Sequence, residues 1–402
     1  MLTIKNEGVI NSKSLMNTTP AIAISSQATT SEQSAWEYYK IWSEWEKNSS
    51  QGMGEQRDVA VGRMRDALER KTDSLDLSML NLSTLPGIFP KQVKTLDISR
   101  NQLHTLTECL PENLQVIDAK NNKLITLPKN LPESLSKVFL SHNRLKRLPE
   151  NLPSSILIID VENNQLEGTI RNLPDSLMGL KLKSNRLDTI PSHSPNFIEF
   201  LDISNNIVTE LPDDLPNSIR SLNVSHNKLT ALPRKLPDSI KVLDISHNEL
   251  TFLTNELPDS LEIFDVSHNK LTTLPDKLPD SIDFLMVHHN KLNKLPDKLP
   301  HALDNLQSSS NNLTCIPDKL PKDIRITDFS FNKIEIFPDN LPQTITHLKL
   351  NNNNIAAISG KISNLSDRME IDLKNNKLSA KEKSKIINLQ ASEYYNGPNI
   401  KT

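Results

Sequence analysis

The chain has 402 residues, a net charge of −3 and only 4% aromatic residues. That balance excludes the broad basic excess expected of a nucleic-acid or anionic-membrane binder. No apolar run approaches the roughly 18 residues a membrane span requires, and the run AIAI (21–24) is too short and lacks the charged leader of a secretory signal.

The three Trp (36, 42, 45) and four Tyr (38, 39, 394, 395) all lie outside the repetitive middle of the chain, and that partition sets the segment boundaries. Residues 1–34 are rich in Ser, Thr, Asn and Gln without periodicity, and are predicted to be disordered. In AWEYYKIWSEWEK (35–47), Tyr38, Ile41, Trp42 and Trp45 recur at helical spacing and predict an amphipathic helix. The stretch NSSQGMG (48–54) interrupts it, and residues 55–71 place Ala60, Met64, Ala67 and Leu68 on one face of a second helix. Together, 35–71 read as a two-helix cap whose Trp36–Trp45 face covers the open sheet edge at Leu77 and Leu80.

From 72 to 378 the chain repeats. An Asn stands at 101, 122, 143 and on to 353 at intervals of 21 residues without insertion or deletion. Leu80 falls one period earlier, and Asn376 follows after 23 residues in a unit that has lost its prolines. About fifteen units with irregular ends describe a capped solenoid. The consensus LxLxxNxLxxL, as in SIKVLDISHNELTFL, directs Leu243 and Ile245 inward from a short strand and leaves Asp244 and Ser246 outside. Asn248 turns in, where its amide can satisfy backbone groups of neighbouring coils. The LPDxLPxSL half carries two prolines, which favour extended or polyproline backbone and leave no room for a convex helix. The expected fold is therefore a curved leucine-rich-repeat horseshoe, with a parallel sheet on its concave face. Residues 379–402 close it. Ser379 and Glu382 form a capping box for a short helix, Ile386, Ile387 and Leu389 cover the last coil, Tyr394 and Tyr395 close its edge, and NGP (396–398) ends the structure.

Three sets of residues on the concave side are candidates for partner binding. The position between the two inward apolar residues is Asp at 76, 97, 118, 160, 202, 244, 265, 328 and 372, interrupted by Phe139, Lys181, Asn223, Met286, Gln307 and Lys349. Asp202, Asp244, Asp265 and Asp328 would form an acidic stripe that attracts a basic protein surface and repels a phosphate backbone. The plainer alternative is a solubilising Asp that hydrogen-bonds its own neighbours. Phe139, Met286 and Phe331 stand among polar neighbours and would serve as apolar anchors. His226, His247, His268 and His289 recur just before the Asn in consecutive coils, with His288 beside the last. A metal there needs imidazoles closer than strand spacing readily gives. A pH-responsive surface is a second reading, and a consensus copied from coil to coil is the plainest. Cys109 and Cys315 lie in different repeats and suggest neither a disulfide cap nor a metal site, and a chain with nine glycines has little from which to build a nucleotide loop. No catalytic residue, cofactor or metal ligand is assigned.

The repeats LPDSIKVLDISHNELTFLTNELPDSLEIFDVSHNKLTTLP resemble the LPX leucine-rich repeats of bacterial type III secreted effectors, the IpaH and YopM group. The segment YYKIWSEWEKNSSQGMGEQRDVAVGRMRDALERK resembles the helical cap of that group, and LSAKEKSKIINLQASEYYNGPNI the segment that closes the repeats in ligase-bearing members. The resemblance implies secretion into a host cell, to its cytoplasm or nucleus, with residues 1–34 meeting the secretion apparatus or a chaperone. It implies host proteins as partners. Ligase-bearing members carry a catalytic Cys-x-Asp motif in a further domain. Here Cys109 is followed by Leu110-Pro111 and Cys315 by Ile316-Pro317, so the resemblance favours a non-enzymatic, YopM-like scaffold. The alternative is the substrate-recognition half of an IpaH-like E3 ubiquitin ligase, with 379–402 leading towards a catalytic domain.

Overall fold

A computed structural model describes residues 28–48, 54–191 and 195–402. Two helices, α1 (Ala28–Lys47) and α2 (Arg57–Arg70), precede a single sixteen-stranded sheet in which each strand pairs in parallel with the next in sequence. Among the described residues the strands are three residues long, from β1 (Ser74–Asp76) to β16 (Asn399–Lys401), and α3 (Ala380–Gln390) lies between β15 (Glu370–Asp372) and β16. The register advances by one repeat at each step, pairing Val242, Leu243 and Asp244 of β9 (Val242–Asp244) with Ile263, Phe264 and Asp265 of β10 (Ile263–Asp265). The leucine-rich-repeat solenoid predicted from the 21-residue period is the observed fold.

Two interactions repeated from coil to coil hold the stack together. The inward column is fully buried, as at Leu222, Leu243, Phe264, Leu285 and Leu306, each at 0% exposure. Beside it runs a ladder of Asn side chains. The Asn248 amide donates to the carbonyls of Val224, Ile245 and Ser246 at 3.0–3.1 Å, while its Oδ1 accepts the Leu229 N–H at 2.9 Å. The same pattern closes the irregular 23-residue unit, where Asn376 donates to Leu350 and accepts from Ile355. A buried amide bonded at both ends satisfies backbone groups that short strands leave over. The residue before each Asn sits in left-handed backbone, with φ between 52° and 58° from Arg100 to Asn375. Asn and His tolerate that conformation better than most residues. This accounts for their frequency in the column.

The cap differs from expectation in two respects. The backbone of α1 begins at Ala28, seven residues inside the segment read as disordered, while residues 1–27 lie outside the described residues. Trp36 is 63% exposed beneath Lys40, so the covering face consists of Tyr38, Trp42 and Trp45. Trp42 is fully buried and donates its indole N–H to the Ile88 carbonyl at 2.9 Å. Ala60, Met64 and Ala67 are buried, as the helical spacing of α2 requires. The buried Arg57 side chain ties the two helices to the first coil. It pairs with Glu55 at 2.6 Å, donates to the Trp45 carbonyl and to Thr84, and stacks over the Trp45 ring.

At the other end Ser379 caps α3 through the Glu382 N–H, and Ile386 is buried, but Ile387 is exposed. The sheet edge is closed by β16, not by the tyrosines. Tyr394 is 89% exposed, and Tyr395 only bonds the Pro398 carbonyl within its own turn. NGP turns the chain back instead of ending the structure, because the unpaired edge of β15 offers a row of backbone partners. The Gln390 side chain clamps the added strand, bonding both the N–H and the C=O of Ile400.

Candidate functional site

The outer face of the sheet presents, from each strand, the residues on either side of the buried leucine. Asp202, Asp244, Asp265 and Asp328 fall into one column, as the repeat predicts. Each uses Oδ1 to accept the backbone N–H two residues on, at 2.9–3.0 Å, so the column fixes the turn out of each strand. Asn223 makes the same bond with its amide oxygen, at 3.0 Å. Where the column carries Asp or Asn, the turn uses only an acceptor oxygen, and the charge is surplus to that use. Asp328 is buried and pairs with Lys349 at 3.3 Å, which leaves Asp202, Asp244 and Asp265 as the better displayed carboxylates. Nearby, burial and the carboxylate of Asp160 push Glu162 above the usual carboxylate range.

The predicted anchors divide. Phe139 and Met286 occupy the Asp column and are half-buried, Phe139 beneath the Lys120 ammonium at 4.6 Å. Phe331 stands in the left-handed column at φ 53° and is 56% exposed. A bulky side chain in that conformation is strained, and here it is held out towards solvent. The structure adds anchors that the consensus did not single out. Phe200 and Phe284 take the first strand position and are each 37% exposed, and Phe284 extends an apolar line from Val242 and Ile263. The available signal was the variable residue before the inward leucine, where most coils carry a smaller or polar side chain.

The histidines lie closer together than strand spacing suggested. The rings of His226, His247, His268 and His289 stack at 3.9, 3.9 and 4.1 Å, within 12° of parallel. Strands repeat at about 4.8 Å, and side chains raised on the inner side of a curved sheet converge. His288 meets His268 and His289 edge-on, with its Nδ1 3.1 Å from the Nδ1 of His289. Burial and the other imidazoles push His268 down to about 4. Burial, and then the His226 ring, lowers His247 despite Asp265 and Asp244. Cys109 and Cys315 are exposed and unpaired.

Comparison with known proteins bears on what such a face serves. The profile of the family described as type III secretion system leucine rich repeat protein matches residues 4–62. A solved structure of YopM, described as a leucine-rich effector protein from Yersinia pestis, superposes with a TM-score of 0.73. It is 33% identical and covers 92% of this chain and 99% of its own. The chain belongs to the YopM-like leucine-rich-repeat effectors of type III secretion. Direct sequence matches are shorter. YopM of Yersinia pestis is 54% identical over 54 residues, 13% of either chain. The E3 ubiquitin-protein ligase ipaH9.8 of Shigella flexneri is 42% identical over 57 residues, 14% of this chain and 10% of that one. This effector's aligned stretch thus spans only a small part of each of those two relatives. Among its described residues no helix is long and apolar enough to cross a membrane.

Proposed function

We propose that this effector is a non-enzymatic scaffold that enters a host cell and holds a host protein against its concave face. The observation that carries the reading is the mixture on that face. Exposed Phe331, Phe200 and Phe284 stand among the displayed carboxylates of Asp202, Asp244 and Asp265 on a preformed sheet. Aromatic anchors within a charged surround suit a partner with a basic surface broken by apolar patches, and a rigid scaffold loses little entropy on binding. The match of residues 4–62 to a type III secretion family supports a role for the N-terminal segment in export, to the host cytoplasm or nucleus.

The test neutralises charge without disturbing the fold. Asp202→Asn, Asp244→Asn and Asp265→Asn together keep the oxygen that accepts the backbone N–H, as Asn223 does. Capture of host proteins by the triple variant should fall by about tenfold in affinity, with a flatter salt dependence. Capture unchanged in strength and salt dependence would remove the concave carboxylates from the binding surface.

The match to ipaH9.8 favours a second reading, in which the same face selects substrates for a ubiquitin ligase. Neither Cys109 nor Cys315 stands in a Cys-x-Asp motif. The reading frame after the Thr402 codon discriminates: a helical domain with that motif supports the ligase reading, and its absence the scaffold.

A further inference from the structure

We propose that His268, His288 and His289 form a three-imidazole site for a divalent d-block cation, with zinc as the reference metal. The proposal is independent of what the concave face binds. One ring nitrogen from each of the three histidines lies within 4.8 Å of those of the other two. Tetrahedral zinc with bonds of about 2.0–2.1 Å holds its ligand nitrogens about 3.3 Å apart. The Nδ1 atoms of His288 and His289 are already 3.1 Å apart, and a ring nitrogen of His268 lies within 4.8 Å of a ring nitrogen of each.

Two features distinguish this trio from the rest of the histidine column. First, two Nδ1 atoms face each other, and a single proton at most can lie between them. A cation would accept both lone pairs at once. Second, His288 breaks the consensus of its own column, where the flanking coils carry Ser246, Ser267 and Ser309. It is the residue that turns a parallel stack, whose nitrogens lie side by side, into a corner that converges.

The surroundings suit a cation. The carboxylates of Asp265 and Asp328 act electrostatically on His288, opposing the other histidines, and would offset the charge of a bound ion. Imidazole alone selects zinc, copper or nickel over calcium and magnesium, which need oxygen ligands. Three protein ligands leave the fourth tetrahedral position open to solvent or to a group from a partner, the arrangement of sites that keep an exchangeable ligand.

The experiment titrates zinc chloride into the full chain at pH 7.5 against a chromophoric chelator, with cobalt(II) as a spectroscopic substitute. One zinc per chain should bind in the micromolar range or tighter. His288→Ser and His268→Asn should each weaken it by at least about tenfold and abolish the cobalt d–d bands. Both replacements are residues that other coils carry at those positions, Ser309 and Asn205, so the coil is preserved and circular dichroism will verify it. His142→Asn, in the same column but several coils away, should bind as the parent does. Binding no tighter than about millimolar overturns the proposal, as does zinc binding that His288→Ser and His268→Asn leave intact, or an equal loss in His142→Asn.

Discussion

The Asn ladder makes a quantitative prediction, because neighbouring rungs share acceptors. Asn248→Ala deletes the three donations and one acceptance described above. The buried Leu229 N–H then loses its acceptor. The three carbonyls each keep a donor: Val224 from Asn227, Ile245 from Asn269, and Ser246 from the His226 N–H, all at 3.0 Å. One stranded donor at about 1–3 kcal/mol, with the weakening of three shared bonds, gives a loss of about 2–4 kcal/mol. Asn269→Ala should cost the same, since Leu250 is stranded in its turn. In the double variant, however, the Ile245 carbonyl loses both of its donors. A double-mutant cycle by urea denaturation should therefore show about 1–2 kcal/mol of destabilisation beyond the sum. Asn248 and Asn311 share no carbonyl, and that pair should be additive to within about 0.5 kcal/mol. Coupling no larger for the adjacent pair than for the separated one would refute shared acceptors as the source of cooperativity between coils.

Phe331→Asn should raise stability by about 0.5–1 kcal/mol by relieving left-handed strain, as read from thermal melts, while weakening host-protein capture. A loss of stability would mean that packing outweighs strain. At the N-terminal cap, burial alone would raise the Glu55 carboxyl, but hydrogen bonds from Ser83 and the Arg57 guanidinium outweigh it and hold the group below its ordinary 4.5. A depressed folded-state value gives stability that is present above the unfolded value and lost as pH falls through the folded one. Trp fluorescence should therefore report cap loosening as pH falls below that ordinary value, and Glu55→Gln should flatten that acid limb. Gln390→Ala should free β16, so that hydrogen exchange accelerates at Ile400 and in β15 while β9 and β10 remain protected. Uniform exchange across the sheet would contradict a local clamp.

The repeat made much of this molecule legible in the sequence. Each coil meets the same geometric demands, so the inward Leu column, the buried Asn and the outward Asp could be assigned from spacing alone, and the two cap helices from their 3.6-residue pattern. The ends were less legible. Whether Trp36 or Trp45 met the first coil, and whether β16 or the tyrosines closed the last, depended on which of several apolar or polar groups found a partner. Local pattern does not encode that choice.

The candidate site divides along the same line. The sequence determined which residues share a column, because a period without insertions transfers register unchanged from coil to coil. It also determined that aspartate, histidine and exposed phenylalanine would lie on one side of the sheet. Only the tertiary structure decided their distances and burial. Curvature draws the imidazoles to within 4.1 Å and sets His288 across the end of the stack. Lys349 and burial withdraw Asp328 from display, and Phe331 is held outward in a strained turn. A one-dimensional period specifies neighbours along the stack, whereas curvature and side-chain tilt arise from the packing of all the coils at once.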